Sequence, residues 1–214
     1  MKEKKFNTLE EKVRFLEQFI TEDRKRRIND VLDRRVKRYV IALENIYDPH
    51  NISAVLRTAD GMGFHTIYVI EKENRLKFSS GVTTGAEKWL EIKIFTDVES
   101  ALTELGKRGY KIAAGVLSEE SVNFFEYDWD GKWVFLFGNE HEGLTERAVE
   151  LSDIQFMIPI YGFIQSYNIS VSAAITMSHL RFLLEKRGVK GELTSKEKLE
   201  LEYRWLTRDL GIKI

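Results

Sequence analysis

The chain of 214 residues contains no cysteine. That excludes a disulfide scaffold, a thiol nucleophile and any cysteine-ligated zinc or iron–sulfur site. Histidine is scarce as well: there are four, far apart in sequence, so no histidine-built metal site is expected and His141 is read as a loop residue. No run approaches the ~18 apolar residues of a membrane span, so no membrane partner is expected. The opening MKEKKFNTLEEK has no apolar core behind its charges. It does not read as a secretory signal, and the expected compartment is cytoplasmic. Proline occurs twice, as Pro49 and Pro159. An excess of charge of one sign is also missing, because 33 Lys+Arg oppose 34 Asp+Glu for a net charge of −1.

That near-neutrality hides a division. Residues 1–38 carry 13 basic and 8 acidic side chains, and residues 181–214 carry 9 and 6. The intervening 39–180 holds 11 and 20, a net −9 between ends of +5 and +3. An acidic body between two basic ends suggests a polyanion held near a particular place.

Hydrophobic residues at 43% and charged residues at 31% describe an ordinary folded chain, long enough for a sizeable core. Leu9, Val13, Leu16 and Ile20 recur at helical spacing, and EDRKRR leads into a second helix using Ile28, Val31 and Leu32. Its charged face, with Arg24, Arg27 and Arg35 among others, reads equally as a solvated surface or as a polyanion contact. From Tyr39 onward short apolar segments alternate with helical ones. Strands are predicted over 39–45, 65–70, 110–117, 132–138 and 155–160, and helices over 51–60, 97–108, 145–151 and 170–186. This is the pattern of an α/β fold with a largely parallel sheet covered on both faces. A capping box at Thr194 and Glu197 opens a helical tail. The expected organisation is a basic helical arm over 1–38, an α/β domain over 39–188 and a helical tail over 189–214.

Three stretches carry chemistry. In Asp48-Pro-His-Asn51 through Arg57 to Gly63, a helix starts after a buried strand, and Ile52, Val55, Leu56 and Ala59 form its core-facing stripe. Arg57 lies about 140° around from Ile52, so it points away from that stripe and suits an anion at the strand's carboxyl edge; a plain surface arginine is the alternative. In Phe137-Gly138-Asn-Glu140-His-Glu-Gly143, two glycines bracket a tight loop where backbone can approach a ligand closely. It is neither the three-glycine dinucleotide fingerprint nor a P-loop, which would need a lysine. In Ile158-Pro159 through Gly162, Ser166 and Asn168 to Ala174, a strand ends in a loop and small or hydroxyl residues open a helix. Tight helix–sheet packing accounts for the small residues but would not require Ser166 and Asn168.

Together these stretches resemble the signature motifs of the SpoU/TrmH group of the SPOUT methyltransferase superfamily. The matching residues are Asn51-x-x-Ala-x-x-Arg57-Thr-Ala, Gly138-x-Glu140-x-x-Gly143 and Ile158-Pro-x-x-Gly162-x-x-x-Ser166-x-Asn168-x-Ser170-Val. The approach to the first resembles the tRNA (guanosine-2′-O)-methyltransferases of that group. The resemblance implies a SPOUT-type α/β fold with a C-terminal deep trefoil knot and an obligate homodimer. It implies S-adenosylmethionine as cofactor, cradled around Leu117, Gly138, Ile158, Ile160 and Tyr167. It implies a tRNA substrate, methylated on the ribose 2′-hydroxyl of the D-loop guanosine at tRNA position 18. Arg57, Asn51, Glu140, Ser166 and Asn168 would form the reaction site, and Arg24, Arg27 and Arg35 would contact tRNA. A ribosomal-RNA 2′-O-methyltransferase is the alternative within the class. A non-catalytic RNA-binding protein on the same fold is the alternative outside it, and a dinucleotide-dependent oxidoreductase is more distant still because its fingerprint is missing.

Overall fold

The computed structural model describes residues 6–72, 85–212 and 214. In chain order the elements are α1 (Leu9–Glu17), α2 (Glu22–Leu32), β1 (Tyr39–Glu44), α3 (Pro49–Gly61), β2 (Thr66–Ile70), a single 3-10 turn (Ala86–Lys88) and β3 (Glu91–Phe95). They continue with α4 (Val98–Lys107), β4 (Lys111–Gly115), β5 (Val122–Asn123), β6 (Trp133–Phe137), α5 (Glu146–Glu150), β7 (Ile154–Met157), α6 (Ile169–Lys186) and α7 (Ser195–Leu210). The chain divides into two units, one of residues 37–188 and one that joins 1–36 to 189–214.

The larger unit is built on a seven-stranded sheet in the order β3-β2-β1-β6-β4-β7-β5, with every neighbouring pair parallel. The apolar runs predicted as strands lie in its middle. β1, β2 and β6 are buried along their whole length, as strands covered on both faces must be. One face packs Val40, Ala42, Val134 and Leu136 against Ala101, Leu105 and Ala148 of α4 and α5. The other is aromatic: Phe135 and Phe156 pack with Phe124 and Trp129, and Phe124 also meets His179 of α6. α3 and α6 pack on each other.

Two strands escape sequence reading. β3 is an edge strand of charged and half-buried residues, and β5 is two residues long, so neither shows an apolar run. The strand order matters for function. β1 to β3 build outward in one direction, and β4 then falls on the far side of β6. Loops at the carboxyl ends of the central strands therefore diverge and leave a crevice between them.

The smaller unit corrects the expected division into an arm and a tail. α7 packs against both α1 and α2, so the two chain ends form one helical body. Val13, Leu16, Ile28 and Leu32 are buried with Leu201, Trp205 and Leu206. Arg24 pairs with Asp209 at 2.8 Å, and Lys198 with Asp33 at 2.6 Å. Gly191 is needed where the chain returns, because a Cβ there would lie 2.2 Å from the Asp33 carbonyl oxygen. Arg35 is also corrected. It was expected on an exposed helix face, yet α2 ends at Leu32 and Arg35 is fully buried, its guanidinium 5.2 Å from the centre of the Trp205 ring. A guanidinium stacked on an indole inside the fold does not face a phosphate.

Glu202 of α7 is buried beside the carboxylate of Glu17, which itself pairs with Lys25 at 2.8 Å. Burial, with the Glu17 charge added, pushes the Glu202 carboxyl up to about 7. A carboxyl raised in the folded state makes folding most favourable below its unfolded value, and that advantage is lost as pH rises through the folded one. Stability should therefore fall between about pH 4.5 and pH 7. Glu202→Gln should unfold like wild type at about pH 4, below the unfolded value, but be more stable at pH 8, by on the order of 1–2 kcal/mol in urea titrations. Equal stability at pH 8 would remove this origin of the pH dependence.

Candidate active site

The loops after β4, β6 and β7 and the start of α6 enclose a cavity of about 350 Å³. Its wall includes Leu117, Gly138, Ile158, Ile160 and Tyr167, the five residues whose neighbourhood was expected to meet a cofactor. Ser166 and Glu140 also line it. Residues more than fifty apart in sequence thus meet because the parallel strands all end on the same side.

Gly138 is where the loop turns inward. A Cβ there would stand 2.0 Å from the Gly143 carbonyl carbon, so only glycine lets the loop close on itself. Gly143 adopts a φ of +71°, and its N–H reaches the Asn139 carbonyl at 3.1 Å. The buried Asn139 side chain accepts from the N–H groups of His141 and Glu142 at 2.9 and 2.7 Å, which holds the tip rigid.

Asn51, Glu140 and Asn168, one from each stretch, meet at a single set of hydrogen bonds. Asn168 is the N-cap of α6, its Oδ1 accepting from the Ser170 N–H at 2.9 Å and the Ser170 hydroxyl at 2.6 Å. With that oxygen occupied, the Asn168 amide donates to Asn51 Oδ1 at 3.1 Å. The Asn51 amide then faces Glu140 and donates to its Oε1. Each amide orientation dictates the next, and the series ends on a carboxylate that can only accept. Asn51 is presented because Asp48 caps α3, accepting from the His50 N–H at 2.8 Å, with Pro49 in the first turn.

Arg57 and Ser166 stand outside this network. Arg57 lies on the exposed side of α3, opposite Ile52, Val55 and Leu56, and makes no hydrogen bond or ion pair among the described residues. Ser166 is exposed at the cavity wall. The Tyr167 hydroxyl donates to the Pro159 carbonyl at 3.3 Å and so spans the base of the 159–167 loop. Arg24 and Arg27 belong to the helical unit, where Arg24 is engaged by Asp209 and Arg27 is exposed. Among the described residues no three His, Asp or Glu side chains stand close enough to hold a metal.

Sequence reasoning missed Glu44 and Thr145. Glu44 ends β1, is 2% exposed, and accepts from the Thr145 N–H at 2.9 Å and the Thr145 hydroxyl at 2.8 Å. The available signal was a carboxylate closing an otherwise apolar strand, since a buried charge needs built-in partners.

The double duty of Asn168 separates two variants. Asn168→Ala removes the cap of α6 and should lower unfolding free energy by about 0.5–2 kcal/mol, whereas Asn168→Asp keeps a capping oxygen and most of the stability. Denaturant unfolding of both against wild type checks this, and equal losses would deny the cap its role.

Residues 38–178 match the family model described as the SpoU rRNA Methylase family. The chain is 35% identical over 190 residues to the tRNA (guanosine(18)-2′-O)-methyltransferase of Borreliella burgdorferi, covering 89% of this chain and 87% of that one. To the protein of the same name from Aquifex aeolicus it is 33% identical over 198 residues, covering 91% and 94%. Among solved structures, the A. aeolicus TrmH/SpoU tRNA modifying enzyme superposes with a TM-score of 0.82 at 34% identity, over 90% of this chain and 98% of that one. An AdoMet-bound rRNA methyltransferase from Sinorhizobium meliloti superposes with a TM-score of 0.63 at 25% identity, over 68% and 56%. A family model that covers most of the α/β unit, with relatives matched along nearly the whole chain, makes this protein a member of the SpoU rRNA Methylase family.

Proposed function

We propose that this protein methylates the ribose 2′-hydroxyl of tRNA, at guanosine 18 of the D-loop, using S-adenosylmethionine. The observation that carries the reading is the Glu140–Asn51–Asn168 network, which joins all three motif stretches at the edge of one cavity. Relatives named for this activity at 33–35% identity over most of the chain support the substrate.

The residues fit the cofactor. A cavity of about 350 Å³ lies in the range of small-molecule sites. Leu117, Ile158 and Ile160 offer apolar wall, Gly138 offers bare backbone, and Glu140 and Glu142 place carboxylates where a cationic sulfonium is favoured. When bound, S-adenosylmethionine supplies an electrophilic methyl group. Everything else falls to the chain. A ribose hydroxyl is a weak nucleophile and must be oriented and relieved of its proton. A guanidinium offers only donors and no acceptor for that proton, so Arg57 does not serve as the base. Its guanidinium, without a partner among the described residues, clamps the neighbouring phosphate bidentately and polarises the hydroxyl, while the proton leaves to phosphate or water. Ser166 and Asn51 orient the ribose and Arg57. Glu140 and Asn168 hold Asn51 in place and shape the pocket.

Arg24 and Arg27 contribute to tRNA capture in the cytoplasm. A homodimer is supported by the exposure of Tyr161, Phe163 and Ile164 beside the cavity, apolar surface that a second copy would cover. The knotted return of the chain is supported by the sheet order, because β7, last in sequence, lies between the earlier β4 and β5. An experimental chain trace and sedimentation velocity should give a knotted path and a two-copy species, and an open path or a monomer would remove that feature.

The activity is tested with labelled S-adenosylmethionine against bulk tRNA and rRNA, followed by mapping of the methylated nucleotide. Methyl transfer to tRNA at guanosine 18 is expected, and transfer confined to rRNA would overturn the assignment. Arg57→Lys should lower the single-turnover rate about 10–100-fold, the cost of one charge-assisted hydrogen bond, and leave cofactor binding unchanged. A rate near wild type would sink the bidentate role.

A further inference from the structure

Glu44 stands at the carboxyl end of the central strand β1, 2% exposed, after five buried apolar residues. Both of its oxygens are used by one residue: Oε2 accepts from the Thr145 N–H at 2.9 Å and Oε1 from the Thr145 hydroxyl at 2.8 Å. The Thr145 hydroxyl oxygen in turn caps α5, accepting from the Ala148 N–H at 3.2 Å. That hydroxyl therefore has one donor and one acceptor duty, and the donor duty points at Glu44.

The chain leaves Glu44 through Asn45, at a φ of +53° with its N–H on the Ile70 carbonyl at 2.9 Å, and reaches Asn51 at the start of α3. It enters Thr145 from Glu140 along the 138–144 loop, which turns back on itself at Gly138 and Gly143. Asn51 and Glu140 are hydrogen-bonded. Two chain segments are thus tied at both ends, by Asn51–Glu140 at the cavity rim and by Glu44–Thr145 beneath it. The rim bond lies between exposed or half-exposed side chains and competes with water, whereas the lower tie is buried and charge-assisted.

The geometry points to Glu44 as a positioning residue that fixes the cofactor-side loop against β1, and through it sets Glu140 on Asn51. It touches neither the cavity nor the Asn51 network, so it acts through Thr145. This rests on the proposed cofactor site and adds to it the group that holds one wall. A glutamine at position 44 cannot replace the carboxylate. Its amide nitrogen must face either the Thr145 N–H, donor against donor, or the Thr145 hydroxyl, whose proton is then left without an acceptor.

The test uses the full chain and two readouts, calorimetric binding of S-adenosylmethionine and amide hydrogen exchange. Glu44→Gln should weaken binding about tenfold or more, as expected for losing a charge-assisted hydrogen bond. Exchange should quicken over 138–145 and stay unchanged in β1 and β6. Thr145→Val should reproduce both effects, Thr145→Ser should not, and the double variant Glu44→Gln/Thr145→Val should be no worse than either single change. Wild-type binding and exchange in Glu44→Gln would overturn the proposal. So would faster exchange throughout the sheet with additive losses, which marks Glu44 as a general structural prop. If Glu44→Gln does not fold, the Thr145→Val and Thr145→Ser pair decides, and equal behaviour of the two overturns it. If wild type binds no S-adenosylmethionine, the functional reading fails on its own, and the exchange measurements still judge Glu44.

Discussion

The side-chain amide of Asn51 is held from both sides, and much of the site depends on that. It accepts from Asn168 at the start of α6 and donates to Glu140 in the loop after β6, so one residue at the start of α3 ties three separate elements together. The direction of this series follows from helix capping. Asn168 must spend its oxygen on the α6 N-terminus, and every later donor and acceptor follows from that one commitment. A site assembled from three loops would otherwise be mobile at each of them.

Behind it lies the constraint of a parallel sheet. All seven strands run the same way, so the loops that follow β1, β4, β6 and β7 emerge on one side. Where the order reverses, their paths part and a crevice results. Gly138 lets backbone rather than side chain meet that crevice, and the tie from Glu44 to Thr145 returns the loop to the middle of the sheet. Under the proposed reaction, the chain adds to this frame a cation in Arg57 and a wall of apolar and backbone groups.

Charge distribution separates the two units in another way. The acidic stretch belongs to the α/β unit, where carboxylates line a cavity suited to a cationic ligand. The basic ends fold together, and not all of their cations face outward: Arg35 is buried against Trp205. Net charge along a segment therefore overstates the positive surface that a polyanion meets.

The sequence by itself determined most of the element types, the parallel α/β class and the three stretches from which Asn51, Glu140 and Asn168 come together. Those properties follow from local rules: apolar runs make buried strands, capping residues start helices, and paired glycines permit a tight loop. It left unread β3 and β5, whose short or half-buried strands show no apolar run. The merging of the two chain ends was also out of reach, because α1 and α7 are amphipathic and an amphipathic stripe does not name its partner. Only tertiary structure decided that Arg35 is buried, that Glu202 shares a pocket with Glu17, and that Glu44 holds Thr145. Each is a contact across roughly a hundred residues or more, and such contacts are set by how elements pack.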